Sequence, residues 1–160
     1  MNEHASLRAR KLLDAGLAAA ASGNIPVARA HFRASASECP TADALTYWGW
    51  MEHQLGNTDL AIHLCKQAIE RDPDFGNPYN DIGSYLIQQG DLDGAVPWLE
   101  KAIGAKRYEA RHYPHVNLAR IHLTRQHPVQ AAAEFRKALA LRPDDPELAA
   151  ALAKVLQSVN

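Results

Sequence analysis

Residues 56–83 read GNTDLAIHLCKQAIERDPDFGNPYNDIG, and the marks inside this stretch recur along the whole chain. Gly56 followed by Asn57 is a helix stop followed by a helix start. Glycine readily takes the left-handed conformation that ends a helix, and asparagine caps the next one. Ala61, Cys65 and Ala68 then return at helical spacing as one apolar face, Pro73 closes the unit, and Gly83 places a small residue in the following helix. Taking Ala61 as the landmark, equivalent alanines stand at 28, 95 and 131, at spacings of 33, 34 and 36 residues. Twelve places before each landmark comes Gly16, Gly49, Gly83 or Ala119, and four places after it Phe32, Cys65, Leu99 or Phe135. Seven places after it comes Ser35, Ala68, Ala102 or Ala138, and twelve after it Pro40, Pro73 or Pro143, with Arg107 as the exception. A self-similar period of this length signals a stack of repeated units, because one unit cannot bury its apolar face alone.

Four units in phase, over about residues 9 to 143, resemble the tetratricopeptide-repeat family. The resemblance implies an all-α fold, a right-handed α-solenoid of helix-turn-helix units. Repeats are expected at about 9–41, 42–75, 76–111 and 112–145, in a single domain spanning 1–160. The helices are predicted near 5–22, 25–38, 42–55, 58–71, 77–90, 92–106, 110–125 and 128–141. Within repeats, Gly23-Asn24, Gly56-Asn57 and Gly90-Asp91 supply the turns. The fourth turn, Gln126-His127-Pro128, has no glycine and is expected to be the least regular. Two extra residues before the fourth unit, and Arg107 where proline is usual, predict a longer continuous helix or a change of superhelical pitch at 106–111. Asp145-Pro146-Glu147 starts a final helix, about 145–158, whose Leu148, Leu152, Val155 and Leu156 cap the stack.

Composition narrows the class. A 47% hydrophobic content suits a folded protein, not a disordered one. No run of about 18 apolar residues exists, and the N-terminal residues lack the apolar core of a secretion signal, so a cytoplasmic protein with no membrane association is expected. Two cysteines make no disulfide framework; Cys65 falls in a core phase and Cys39 in a turn. No phosphate loop, dinucleotide fingerprint, zinc-protease or nucleophile-elbow motif is present, so a non-catalytic protein without cofactor is expected. Asp74-Phe75-Gly76 matches a kinase triplet by chance, in an inter-repeat turn without any other kinase element.

Within the family, ligands are held in a concave groove lined mainly by the first helix of each repeat, where an extended peptide or a helix of another protein binds. The groove-facing phases here hold Tyr47, Trp50, His53 and Gln54, then Asn77, Asn80, Asp81, Ser84 and Gln88, then Tyr113, Asn117, Arg120 and Thr124. Aromatic rings supply contact area at low entropy cost, asparagines can grip a peptide backbone, and Arg120 can hold a carboxylate. The carboxylate clamp of chaperone adaptors is broken: Leu13 and Leu17 stand at its first-repeat phases, and Tyr47, Asn77 and Asp81 at the later ones. Residues 101–142 carry nine Lys/Arg against two Asp/Glu, a net +7, whereas residues 1–100 carry −6. This polarity points to an acidic partner at the later repeats, or to a homodimer of copies associating head to tail. Nucleic acid is not expected, since the basic residues lack an interleaved stacking platform. Two alternatives to a protein-interaction scaffold remain. One is a dedicated chaperone for secreted proteins; the other is a metal-binding protein built on His112, His115, His122 and His127. His115 and His122 also fit as half-buried packing groups, and Glu52 occupies a usually aromatic packing position without a partner that the sequence names.

Overall fold

The computed structural model describes residues 3–159, so the outermost residues of the expected 1–160 domain lie outside it. Nine helices follow one another among the described residues: α1 (Glu3–Ala21), α2 (Ile25–Glu38), α3 (Ala42–Gln54), α4 (Thr58–Arg71), α5 (Asn77–Gln88), α6 (Leu92–Gly104), α7 (His112–Thr124), α8 (Pro128–Leu141) and α9 (Pro146–Gln157). They pair as α1 with α2, α3 with α4, α5 with α6 and α7 with α8, and each pair packs on the next. The result is a right-handed α-solenoid. The first helices of successive repeats also meet, α3 with α5 and α5 with α7, which forms the inner wall.

The periodic residues are the packing surface. Ala28, Ala61, Ala95 and Ala131 are fully buried, as are Phe32, Cys65 and Leu99 four places later, and Phe135 nearly so. Within the first three pairs the packing is so tight that a methyl group at the glycine position would crowd the facing helix, whereas the fourth pair accommodates Ala119 there. A Cβ on Gly49 would stand 3.1 Å from the Ala61 carbonyl oxygen, and one on Gly83 would stand 2.5 Å from Leu99 Cδ2. At the far end α9 buries Leu148 and Val155 against α8, with Leu152 and Leu156 partly covered, and so closes the apolar face of the stack.

The fourth turn corrects the sequence expectation. Gln126 adopts φ 59°, the conformation that Gly23, Gly56 and Gly90 take at 76°, 89° and 85°. The hydrogen bonds are the same in all four: the residue after the turn position donates to the carbonyl five places back, His127 to His122 as Asn24 to Ala19. The turn is regular, and Gln126 accepts a left-handed backbone that an L side chain disfavours.

Of the two outcomes expected at the junction before α7, the longer continuous helix does not form. Helix α6 stops at Gly104, and residues 105–111 form an irregular connection that touches the turn after α4 through a single parallel bridge, Arg107 with Phe75. Arg107 N donates to Asp74 O at 2.8 Å and Gly76 N donates to Arg107 O at 3.0 Å. The Arg107 guanidinium lies 3.9 Å from the Phe75 ring centre and bonds both Asp43 and Asp72. Where the other repeats end in proline, this one ends in an arginine tied to four residues of the preceding repeat, Asp43, Asp72, Asp74 and Phe75.

Glu52 proves to be a fully buried carboxylate with three donors: Arg29 Nε at 2.7 Å, Trp48 Nε1 at 2.8 Å and Asn57 Nδ2 at 2.7 Å. Burial alone would raise its pKa, but these hydrogen bonds outweigh it and the net shift is downward. Asn57 stands at the cap position of α4 without capping it, since its side chain is turned to Glu52. Asn24 and Asp91 do cap their helices, accepting from Val27 N and Gly94 N.

Replacing Gln126 by glycine removes the left-handed strain at no cost in contacts, offset in part by greater freedom in the unfolded chain. Gln126→Gly should therefore stabilise the protein by about 0.5–1 kcal/mol, a rise of roughly 1–4 °C in Tm measured by circular dichroism. An unchanged or lowered Tm would contradict this account of the turn.

Candidate functional site

The inner wall forms a pocket of about 530 Å³ bounded by α3, α5, α7 and the 105–111 segment. Each helix presents residues three or four apart to the same side, so Tyr47 and Trp50 enter from α3, Asn77, Asn80, Asp81 and Ser84 from α5, and Tyr113, Asn117 and Arg120 from α7. Trp50 and Tyr113 are 39% and 54% exposed, large rings that the fold leaves uncovered.

Between the aromatic sides lies a polar floor. Asn117 Nδ2 donates to Asn80 Oδ1 at 3.0 Å, a buried bond that ties α7 to α5, and Arg120 donates to Asn117 Oδ1 at 3.4 Å. Asp81 sits beside this pair, half-buried, and burial pushes its carboxyl up to about 7. The Tyr47 and Tyr108 hydroxyls are pushed up as well, by burial first and by negative neighbours, Asp81 among them, second. A carboxylate in such surroundings is held between its two protonation states near neutrality.

Four residues assigned to the groove from the sequence lie outside this pocket. His53 stacks on Tyr85 with ring centres 4.2 Å apart and pairs with Thr58 Oγ1 at 3.1 Å; burial lowers its pKa, partly offset by a hydrogen bond with Gln88. Gln54 is exposed at the end of α3, and Thr124 Oγ1 donates back to Arg120 O at 3.0 Å. Conversely, Thr46, Tyr108, Ala110 and Val116 line the pocket and were not read from the sequence. Tyr108 and Ala110 arrive with the irregular 105–111 segment. The two extra residues and the missing proline were the only signals of it.

The histidines of α7 are dispersed. His112 packs on Tyr113 with ring centres 4.1 Å apart, His115 Nδ1 pairs with Glu134 Oε2 at 2.7 Å, and the His122 and His127 rings stand 6.3 Å apart. No group of three or more His, Cys, Asp or Glu among the described residues could hold a metal ion. Several basic side chains of the later repeats are engaged within the chain. Arg107 bonds Asp43 and Asp72, Lys106 pairs with Asp74, Arg125 with Asp93, and Arg111 donates to Ile103 O. Arg120 is the cation that reaches the pocket. No helix among the described residues is long and apolar enough to cross a membrane.

Two sequence models, both described as tetratricopeptide repeat, match the chain, one at residues 13–74 and 54–110 and the other at 86–155. Among solved structures, the chain is similar to pilF of Pseudomonas aeruginosa, with a TM-score of 0.87 at 24% identity over 98% of this chain and 71% of that one. It is also similar to a thermophilic TPR protein of Thermus thermophilus, with a TM-score of 0.81 at 22% identity over 95% of this chain and 83% of that one. A third likeness is to the first TPR of Spaghetti (RPAP3) bound to the HSP90 peptide SRMEEVD, with a TM-score of 0.66 at 18% identity over 74% of this chain and 94% of that one. No curated protein matches the chain in sequence. At these identities the structural likenesses establish the fold.

Asp81 generates a prediction about stability. The unfolded carboxyl titrates near its ordinary 3.8 and the folded one at about 7, so the native state holds the proton more tightly. That contribution to stability is complete below about pH 4 and is lost as pH rises through about 7. Asp81→Asn, which mimics the protonated form, should exceed wild type in urea-unfolding free energy by about 1–3 kcal/mol at pH 8 after allowing for partial solvent screening. The gap should close near pH 4. Equal stability of the two proteins at pH 8 would contradict it.

Proposed function

We propose that this chain, which belongs to the tetratricopeptide-repeat family, is a non-catalytic interaction module that holds an extended segment of a partner protein across α3, α5 and α7. One observation carries the reading: exposed Trp50 and Tyr113 flank a floor of asparagines in a single concave pocket. Large rings left uncovered on the inner wall are anchors, and the asparagine amides offer paired donors and acceptors to a peptide main chain. A pocket of about 530 Å³ accommodates a few side chains of such a segment, not a globular surface. Peptide binding by the Spaghetti repeat supports this use of the fold. The mode differs, because Leu13 is part of the core here and Asp81 faces the pocket where a clamp would be cationic.

An acidic preference rests on Arg120, the basic side chain that lines the pocket; Arg107 and Arg125 are engaged with the preceding repeats and Arg111 with the end of α6. The partner's chemistry is therefore read from the pocket and not from the net charge of the segment.

The test pairs two variants. Trp50→Ala with Tyr113→Ala removes exposed rings, so partner capture from an extract of the native host should fall at least tenfold while Tm barely changes. Leu99→Ala, in a fully buried site, should cost about 2–5 kcal/mol of stability and affect capture only through unfolding. Undiminished capture by the double variant would refute the groove assignment.

A further inference from the structure

The pocket contains a negative charge that the chain does not neutralise. Asp81 stands one turn before Tyr85 on α5, on the pocket floor, and burial is the single influence on its carboxyl; no hydrogen bond or ion pair with a described residue offsets it. Its titratable neighbours are Tyr47 from α3, Cys65 from α4, Tyr85 from its own helix and Tyr108 from the 105–111 segment. None of these is a cation. Arg120 of α7 lines the same pocket but is bonded to Asn117 and forms no ion pair with Asp81. Other buried or half-buried carboxylates are treated differently. Glu52 has three donors, and Glu134 has Lys137 and His115.

A lone carboxylate beside exposed aromatic rings matches the side chain of lysine or arginine. The aliphatic stem lies against the rings, the cation meets both the ring faces and the carboxylate, and a desolvated charge gains its missing partner. We infer that Asp81 selects a basic side chain in the partner's extended segment, its cation on the carboxylate and its stem against Tyr47 and Trp50. The inference rests on the groove reading above and names what that groove discriminates. Asn80 and Asn117 hold the main chain on either side, and Arg120, some way along the same floor, is left for an acidic or carboxyl group further on.

Such a contact has a characteristic pH response. With the free carboxyl titrating at about 7, about a tenth of it is ionised at pH 6 and about nine-tenths at pH 8. Binding of a cation favours the ionised form, so affinity should rise up to roughly tenfold over that range. The surrounding groups do not mimic this. Tyr47, Tyr85, Tyr108 and Cys65 are all shifted upward, and His53, stacked on Tyr85, is shifted downward by burial.

The experiment uses the full chain and pools of short acetylated, amidated peptides, randomised except for a central Lys, Arg, Leu or Glu, with binding read by fluorescence anisotropy. The Lys and Arg pools should bind wild type at least about tenfold more tightly than the Leu and Glu pools, with the pH response above. Asp81→Asn should erase both the preference and the pH response, and Asp81→Glu should retain the preference in part. Thermal melts of each variant report folding, and the wild-type preference decides the matter even where a variant does not fold. Equal binding of all four pools, or a basic preference that survives Asp81→Asn, would overturn the role of Asp81; loss on Trp50→Ala with Tyr113→Ala would still leave the groove standing. No binding by any pool, or binding indifferent to the Trp50 and Tyr113 substitutions, would overturn the groove reading and the inference together.

Discussion

Close approach of two helix backbones within each repeat is the constraint on which the rest depends. Gly49 has the Ala61 carbonyl oxygen, and Gly83 the Leu99 side chain, where a methyl group would go. At that separation the alanines at 28, 61, 95 and 131 are wholly enclosed, and the apolar residue four places on seals the pair. Each pair then packs on the next, second helix against first, and the first helices also meet, α3 with α5 and α5 with α7, so that the stack curves around them. The inner wall follows from that curvature, and it is where large polar and aromatic side chains can stand without competing for core volume.

The polar groups of the molecule divide into two kinds. Those holding repeats together find partners in the chain: the Glu52 carboxylate in Arg29, Trp48 and Asn57, and Asn80 and Asn117, in part, in the bond between α5 and α7. Asp81 stands apart, in the pocket and without a partner among the described residues. A buried or half-buried charge left without a partner destabilises the free protein, and such groups cluster where a ligand completes them. The contrast between Glu52 and Asp81, two carboxylates on neighbouring first helices, locates the difference between scaffold and site.

The fold was legible in the sequence because nearly every core contact joins neighbouring helices, so a fixed period in the chain becomes a fixed period in space. Helices α2, α4 and α8 run over the residues that the pattern indicates. What was not legible depends on what faces a residue across a gap. Asn57 looked like a helix cap until the buried Glu52 claimed its amide. Gln126 looked like a poor turn residue, but the hydrogen bonds around it impose the left-handed backbone regardless of side chain. In the pocket, Tyr47, Trp50, Asn80 and Asn117 were reachable from repeat phase, whereas Tyr108 comes from an insertion that has no phase. The charge excess of residues 101–142 was visible, yet its direction was not, because ion pairing to the preceding repeat is a property of the stacked chain.

Arg107 has a consequence for the order in which the molecule is made. A solenoid with nearest-neighbour contacts can settle unit by unit as it leaves the ribosome, each pair finding its surface on the pair already formed. Here Asp43 and Asp72, with the Phe75 ring between repeats, await a guanidinium that lies 64 residues after the first of them. A nascent chain carrying only its first two repeats therefore exposes two acidic groups and one aromatic ring that the finished molecule covers. The third repeat, in emerging, fastens the second, so the early half of the chain reaches its final form only after the later half has begun to appear.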